Sequence, residues 1–409
     1  MSQREPSIEI RYGWGILIAS LIIHTIGLGA PNILFVTLKP IAEDLGTARA
    51  VPSFAYSLLM LGTGIGGIGM GWWLDKRGVM QPVLFGAVMI ALGSFLAAQS
   101  EGKWSLYLAN GVLIGLLGKA AMIAPLVANA TRWFDRHRGL AVSIIASGQG
   151  VAGVIWPPVV RYINDGGGWR EVYQYYGIFV LFTMIPLAFL LRPKPPVVVV
   201  GAVEPGITQT EQVLGLSPRA VQVAMWFAVV GCCMAMAMPT VHLFSYATDL
   251  GFAAARAAEV LSLLFGAAFF SRIAFGMLAD RIGGVRTLLI GSCCQATMLL
   301  VFSQVDTLTG LYVAAFMFGL GFSGIMPCYA LMIRLYFPVG EAGWRIAGQY
   351  LFASAGMAAG GLMGGAIYDL TGSYTNAFLA GFSFNLMNLA IVAFLYTRQR
   401  RISLQGAVA

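Results

Sequence analysis

The chain of 409 residues is strongly apolar: 58% of its residues are hydrophobic, only 10% are charged, and the mean hydropathy is +0.79. Soluble domains carry about 25% charged residues. This composition therefore excludes a chain that folds mainly in water and indicates a protein surrounded by lipid. The formal net charge of +8 fits attraction to anionic lipid headgroups, and no nucleic-acid partner is expected.

Twelve apolar segments follow one another, each close to or above the ~20 residues that cross a bilayer as a helix. The first lacks the small-residue cleavage site of a removed signal peptide, so it is interpreted as the first span. The predicted spans 1 to 12 are residues 14–35, 53–73, 81–99, 104–131, 139–162, 173–192, 219–247, 256–279, 285–304, 308–337, 343–368 and 374–396. The sequence thus predicts an all-α membrane protein.

The longest interruption, residues 193–218, combines several prolines with charged residues. It predicts an N-terminal six-helix bundle (1–192), a linker (193–218) and a C-terminal six-helix bundle (219–409). An even number of spans puts both chain ends on one side, where 17 of the 25 Lys and Arg residues lie, against six on the other side. Because cytoplasmic loops are rich in Lys and Arg, both termini and the linker are predicted to be cytoplasmic, in the plasma (inner) membrane.

A loop motif recurs in the two halves, after span 2 and again, 205 residues later, after span 8. Its two copies are Gly71, Asp75, Lys76 and Gly78, and Gly276, Asp280, Arg281 and Gly283. Glycine permits a tight turn, and an aspartate at this place can cap a helix N-terminus and pair with a base. The repeat predicts that the two six-helix bundles are pseudo-symmetric.

This pattern, G-x-x-x-D-[RK]-x-G in both halves, resembles the signature loop of the major facilitator superfamily. The resemblance implies a transporter fold of twelve transmembrane helices. It also implies that the eight motif residues form a conformational latch, which holds the halves together in one state and releases them in the other. The alternative, that a short loop merely needs glycine and charge, is disfavoured by the double occurrence.

Three further stretches, residues 12–14, 132–141 and 241–251, are similar to the monocarboxylate transporter family and its bacterial carriers of oxalate, formate or lactate. This narrower resemblance spans most of the chain and implies that Arg272 in span 8 binds substrate. The sequence departs from the family at Ala268, where proton-coupled relatives have an aspartate. It departs from the oxalate carriers at Ser354, where they have a second base.

Two basic residues lie inside predicted spans. Lys119 precedes Arg132 by thirteen residues, which puts it roughly 20 Å from the cytoplasmic end of span 4, and Arg272 lies roughly 12 Å deep in span 8. All Asp and Glu residues fall at helix ends or in loops, so no carboxylate pairs with these bases at mid-membrane. The two bases therefore predict an anionic ligand, most simply a carboxylate. The alternative for Lys119 is a neutral amine that serves packing.

Neutral polar residues inside the spans add candidates for substrate contacts. Span 1 carries His24, Leu28 and Asn32 at helical spacing, beside a proline that frees a backbone carbonyl. Tyr329 in span 10 and Gln349 in span 11 are candidate donors to a carboxylate or hydroxyl. The alternative for these polar side chains is ordinary hydrogen bonding between helices.

The sequence does not decide whether transport is coupled to protons. If a proton is transported with the substrate, Lys119, His24 or the substrate itself must carry it, because Ala268 cannot. Uniport and exchange are equally compatible with the sequence.

The leading hypothesis is secondary active transport of a small monocarboxylate, a lactate-like or short-chain organic acid, by alternating access in a monomer. The alternatives are a transporter or antiporter of dicarboxylates or larger aromatic anions, and a non-transporting membrane sensor with this fold. We expect a small organic anion and the lipid bilayer as partners, and also protons if transport is proton-coupled. No nucleotide-binding loop, metal-ligand cluster or catalytic constellation is visible, so no cofactor, metal or enzymatic activity is predicted.

Overall fold

The computed structural model describes residues 11–130, 132–134, 138–193 and 213–408, nearly all of them in helices. Eleven helical stretches are long and apolar enough to cross a membrane. One of them, Leu140–Leu190, has 51 residues, roughly 75 Å of helix. Gly168 interrupts it with a non-helical φ of 80°, so this stretch supplies two crossings. The described residues thus accommodate the twelve predicted spans, whereas the predicted linker lies largely outside them.

The helices have the following bounds, given by span. In the N-terminal half they are Arg11–Gly27 and Gly29–Asp44 (span 1), Ala50–Arg77 (span 2), Met80–Ala98 (span 3), Lys103–Tyr107 to Ala124–Ala130 (span 4) and Arg138–Leu190 (spans 5 and 6). In the C-terminal half they are Pro218–Asp249 (span 7), Ala254–Ile282 (span 8), Gly284–Phe302 (span 9), Leu308–Phe322 and Ile325–Tyr336 (span 10), Val339–Thr371 (span 11) and Thr375–Val408 (span 12). The end of the bundle where span 1 begins is called the terminal end, and the opposite end the far end.

The loop motif ends spans 2 and 8 with the same backbone geometry. Gly78 has a φ of 80° and Gly283 a φ of 87°, values that side chains with a Cβ rarely adopt. The N–H of Gly78 donates to the Leu74 carbonyl, and the N–H of Gly283 donates to the Ala279 carbonyl. The backbone turn therefore explains why glycine recurs at this motif position in both halves.

Three spans are interrupted near mid-length, spans 1, 4 and 10, and the break in span 10 lies between Phe322 and Ile325. Span 1 breaks at Leu28, because Pro31 has no N–H to donate to the carbonyl four residues earlier. Span 4 is not the uninterrupted helix that the sequence predicts. It passes through a π-helix, Leu108–Gly118, and a 3-10 helix, Lys119–Met122, before the α-helix resumes at Ala124. Such irregular turns often mark functional sites or hinges, and this one places Lys119 at the junction.

Inside each half, an equivalent pair of spans crosses at backbone contact. A Cβ added to Gly66 of span 2 would lie 2.0 Å from the Leu116 carbonyl oxygen of span 4. In the C-terminal half, a Cβ on Gly319 of span 10 would lie 2.2 Å from the Leu264 carbonyl oxygen of span 8. Glycine permits these close approaches, as in other membrane helix pairs.

The two halves meet along spans 2 and 11 and along spans 5 and 8. Ser57 donates a hydrogen bond of 2.5 Å to the Ala358 carbonyl, joining spans 2 and 11. Ser262 donates a hydrogen bond of 3.2 Å to the Val154 carbonyl, joining spans 8 and 5. These contacts surround the centre of the bundle, where the candidate site lies.

Gly66→Ala is expected to lower the melting temperature of the detergent-solubilised protein, because its methyl group overlaps the Leu116 carbonyl. Overpacking of this kind destabilises by about 1–3 kcal/mol. Gly67→Ala is the matched control, since a Cβ at Gly67 meets no atom within 4 Å. Equal melting temperatures for the two variants would contradict the close approach of spans 2 and 4.

Candidate functional site

Three basic residues from three spans lie near one another in the interior of the bundle. His24 of span 1 is within electrostatic range of both Lys119 of span 4 and Arg272 of span 8. His24 is 4% exposed and Lys119 is 9% exposed. The fold therefore brings together bases that lie far apart in the sequence, two from the N-terminal half and one from the C-terminal half.

His24 ties span 1 to the irregular part of span 4. Its Nδ1 lies 2.9 Å from the Met122 carbonyl oxygen, and the contact is buried. A carbonyl only accepts, so Nδ1 is the donor, and Nε2 of the neutral ring is then an acceptor. The hydrogen bond thus fixes the ring beside the 3-10 turn that carries Lys119.

Lys119 has no partner of its own among the residues that the structure describes: neither a hydrogen bond nor an ion pair reaches its ammonium group. A buried and unpaired charge is costly. An anionic ligand would relieve that cost, and so would loss of the proton. The position is compatible with both predictions made for this residue.

Arg272 is held by the opposite half of the protein. Its Nη1 donates to the Ala146 carbonyl, and its Nη2 donates to Oε1 of Gln149 at 3.0 Å, both on span 5. Its Nε is buried and has no partner among the described residues. Among the described residues, the guanidinium therefore bonds only to neutral oxygens, and its Nε donor is unused.

Tyr350 of span 11 completes the surroundings of Arg272. It is within electrostatic range of Arg272 and is 51% exposed, so the protein leaves about half of this side chain uncovered. Sequence reasoning missed both Tyr350 and Gln149. The signal that could have found them is a neutral polar side chain inside an apolar span.

The polar stripe of span 1 lies at the break in that span. Asn32 Nδ2 donates to the Leu28 carbonyl at 2.7 Å, and Asn32 Oδ1 is buried without a partner in the described part of the chain. Leu28 is partly buried. Asn32 thus stabilises the local break and has one acceptor left for a neighbour or a ligand.

Tyr329 and Gln349 border one small cavity of about 10 Å³, room for about one water molecule. Tyr329 donates its phenolic proton to Asn388 Oδ1 of span 12 at 2.6 Å. Gln349 Nε2 donates to the Met225 carbonyl of span 7 at 2.9 Å, and its Oε1 is buried without a described partner. Both residues thus form hydrogen bonds between helices, which is the alternative to substrate contact that the sequence left open.

Within the described ranges, the eight predicted latch residues form no hydrogen bond, ion pair or ring contact between the halves. Asp75 accepts a hydrogen bond of 2.5 Å from Arg132 of its own half, and Lys76 lies over the ring of Trp72, 3.9 Å from its centroid. Gly71 and Gly276 have open space where a Cβ would be. Asp280 and Arg281 are exposed. In this conformation, other residues form the polar contacts that join the two halves.

The halves are joined at the far end by a group of charges that we call the far-end clasp: Lys39 and Arg49 of the N-terminal half with Asp249 and Asp369 of the C-terminal half. Arg49 pairs with Asp249, and Lys39 Nζ lies 3.1 Å from the same carboxylate. The Arg49 guanidinium also lies 3.7 Å from the centroid of the Tyr368 ring. One arginine is thus enclosed by groups of the other half.

The second acid of the clasp caps a helix. Asp369 accepts hydrogen bonds from the backbone N–H groups of Arg49, at 2.8 Å, and of Ala50, at 2.7 Å. These N–H groups belong to the start of span 2, where a carboxylate is favoured by the helix dipole. Burial lowers the pKa of the Arg49 guanidinium, but its interactions with Asp249 and Tyr374 together outweigh this, so the pKa is raised and the charge is permanent. The far end is therefore closed by ionic contacts.

Comparison with known proteins gives a consistent result over the whole chain. The sequence model of the Major Facilitator Superfamily matches residues 17–308 and 223–406. The chain is 24% identical over 394 residues to the MFS-type transporter pynF of Aspergillus niger, covering 93% of this chain and 87% of that protein. It is 27% identical over 396 residues to monocarboxylate transporter 11 of Mus musculus, covering 92% and 85%.

Solved structures share the fold. A bacterial homolog of the human lysosomal transporter Spinster, in an inward-facing and occupied conformation, superposes with a TM-score of 0.74 at 14% identity, covering 96% of this chain and 98% of that one. A mutant of the nucleoside transporter NupG superposes with a TM-score of 0.73 at 14% identity, covering 93% and 100%. At this identity the likeness concerns the architecture alone.

Asp249→Asn removes the charge that Arg49 and Lys39 share in the clasp. We expect molecules open at the far end to become at least about tenfold more populated, because hydrogen bonds to charged groups contribute about 1.5–3 kcal/mol. Spin labels at Glu43 and Gln304, exposed positions at the far end of the two halves, would report longer distances in a background without native cysteines.

The matched control is Asp165→Asn, which breaks an ion pair between Asp165 and Arg161 inside span 5. This change alters charge at the same end without affecting the contact between halves. An unchanged distance distribution in Asp249→Asn would contradict the role of the clasp in closure.

Proposed function

This chain belongs to the major facilitator superfamily, and we propose that it is a secondary active transporter that moves a small monocarboxylate anion across the membrane by alternating access. It is a multi-pass membrane transporter and not an enzyme. The observation that carries the substrate proposal is the Arg272 guanidinium, which lies inside the bundle and bonds only to neutral oxygens.

A carboxylate is the ligand that best complements Arg272. The planar guanidinium presents parallel N–H donors that match the two oxygens of a carboxylate, and charge-assisted bonds are stronger than those to neutral acceptors. The unpartnered Nε of Arg272 and the exposed side chain of Tyr350 support this choice. The likeness to the mouse monocarboxylate transporter supports the same substrate class.

The N-terminal half supplies the other side of the proposed site. Lys119 and His24 contact the end of the substrate opposite Arg272, and Leu28 and Asn32 border it at the break in span 1. Tyr329 and Gln349 act one layer further out, through the small cavity that they share with Tyr350. Lys119 and His24 are also the groups that would carry a proton if transport is symport.

A second candidate is transport of a dicarboxylate, and the absence of a partner for Lys119 among the described residues favours it. Arg272 would then bind one carboxylate and Lys119 the other, from opposite halves. The two candidates differ in what Lys119 does, so a Lys119 variant discriminates between them. Nucleosides are a third class to be tested, because a transporter of nucleosides has the same fold and fold alone does not fix the substrate.

Alternating access follows from the same proposal. The bundles 1–192 and 219–409, joined by the linker 193–218, rock around the central bases in a monomer. The excess of Lys and Arg at the terminal end supports a cytoplasmic location for both termini in a plasma membrane. The closed clasp then corresponds to a state that faces the cytoplasm, and the motif residues Asp75 and Asp280 would contact the opposite half only in the outward-facing state.

L-Lactate is expected to raise the melting temperature of the purified wild-type protein, because a ligand at 100 times its Kd stabilises the folded state by about 2.7 kcal/mol. The panel includes succinate, benzoate and uridine. Arg272→Ala should abolish the response to every carboxylate. Lys119→Ala should weaken the response to lactate without abolishing it under the leading proposal, whereas loss of a preferred response to succinate would support the dicarboxylate candidate. Stabilisation by uridine alone would contradict both.

Arg272→Lys is expected to weaken carboxylate binding by roughly 10–100-fold, because a point charge replaces a two-pronged donor and one charge-assisted hydrogen bond of about 1.5–3 kcal/mol is lost. Uptake into proteoliposomes at low substrate concentration measures the effect. Arg256→Lys is the matched control on the same span, where Arg256 pairs with Glu259 at an exposed position. Normal uptake by Arg272→Lys would remove Arg272 from the site.

A further inference from the structure

The contacts of Arg272 with span 5 imitate those of a bound carboxylate. Ala146 and Gln149 are three residues apart, so their acceptors lie on one face of the helix. Each accepts a hydrogen bond from a different Nη of Arg272. Two oxygens thus face the guanidinium fork, as the two oxygens of a carboxylate would.

A close approach of the two helices makes this arrangement possible. A Cβ on Gly150 would lie 2.7 Å from the Cβ of Phe269, which is three residues before Arg272 on span 8. At this short distance the arginine reaches a backbone carbonyl of span 5. The Ala146 carbonyl can accept this bond in addition to its helical one, because a carbonyl oxygen has two lone pairs.

The substitute is weaker than a carboxylate. Neither the carbonyl nor the amide carries a charge, and the buried Nε of Arg272 has no acceptor within the described residues. A substrate carboxylate, which is charged, would form stronger bonds and replace the Gln149 oxygen. The internal contact can therefore hold the arginine without preventing substrate from binding.

A transporter that performs net transport must return empty after each delivery, whereas in exchange it returns loaded. During the empty return the halves close around an arginine that has lost its anion, and burial of an unpaired guanidinium is costly. We propose that Gln149, together with the Ala146 carbonyl, is an internal substitute for the substrate carboxylate that permits the empty carrier to change conformation. The inference rests on the proposed function, since it assigns the group that the substrate carboxylate replaces at Arg272.

Gln149→Ala separates the two transport modes. Net uptake into empty proteoliposomes should fall about tenfold, the factor that corresponds to the loss of one hydrogen bond to a charged group. Exchange into proteoliposomes preloaded with the same substrate should stay within about twofold of wild type, because the arginine is then paired in both directions. The probe is radiolabelled L-lactate, or succinate if succinate gives the larger stabilisation of the wild type.

Two further variants sharpen the test. Gln149→Glu places a fixed carboxylate against Arg272, so both net uptake and exchange should be lost while gel filtration shows a folded protein. Ser262→Ala is the control, because it removes a neutral hydrogen bond between the same two spans without involving Arg272. Its ratio of net uptake to exchange should equal that of wild type.

The outcomes distinguish the two proposals. Equal effects of Gln149→Ala on net uptake and exchange, no effect on either, or continued exchange by Gln149→Glu would overturn the substitute role while Arg272-dependent transport stands. A wild type that exchanges substrate but shows no net uptake would overturn it as well. Failure of the wild type to bind or move any carboxylate would overturn the proposed function and, with it, this inference.

Discussion

The cost of an unpaired charge inside an apolar bundle organises the contact between the two halves. Lipid and tightly packed side chains solvate an ion poorly, so an unpaired charge there is costly. The far-end clasp meets the requirement completely. Arg49 lies against Asp249 and the Tyr368 ring, and Asp369 caps the start of span 2. All these partners come from the opposite half. The contacts that stabilise the Arg49 charge therefore also hold the two halves together at the far end.

Arg272 bridges the halves by the same principle but with different partners. The clasp uses carboxylates that belong to the protein, which makes its contacts strong. Arg272 uses a backbone carbonyl and the Gln149 amide, which a carboxylate from outside can replace. The first contact has no external competitor of this kind, whereas the second is the one that we propose a substrate displaces. The contrast relates the gate at the far end to the proposed binding site at the centre.

Much of the architecture could be predicted from the sequence, because a helix in lipid must satisfy its own backbone and present an apolar surface of fixed length. The twelve spans were predicted for this reason, and the glycines that end spans 2 and 8 were predicted from the repeated loop motif. The break in span 4 was not, since an apolar segment with several glycines gives no period that distinguishes a π-helix from an α-helix. Among the candidate site residues, Lys119 and Arg272 could be selected because charge is rare inside a span.

The sequence by itself thus determined the membrane class, the spans, the repeat of the two halves and the presence of two bases with no carboxylate at their depth. Only the tertiary structure decided that His24 lies beside both bases, that Gln149 holds Arg272, that Tyr329 bonds to Asn388 and that closure lies at the far end. The reason is physical. Burial in lipid acts on each span separately and leaves a local apolar pattern in the sequence. Hydrogen bonds between spans depend on which helices pack against each other. Residues over a hundred positions apart have no local sequence pattern that predicts such packing.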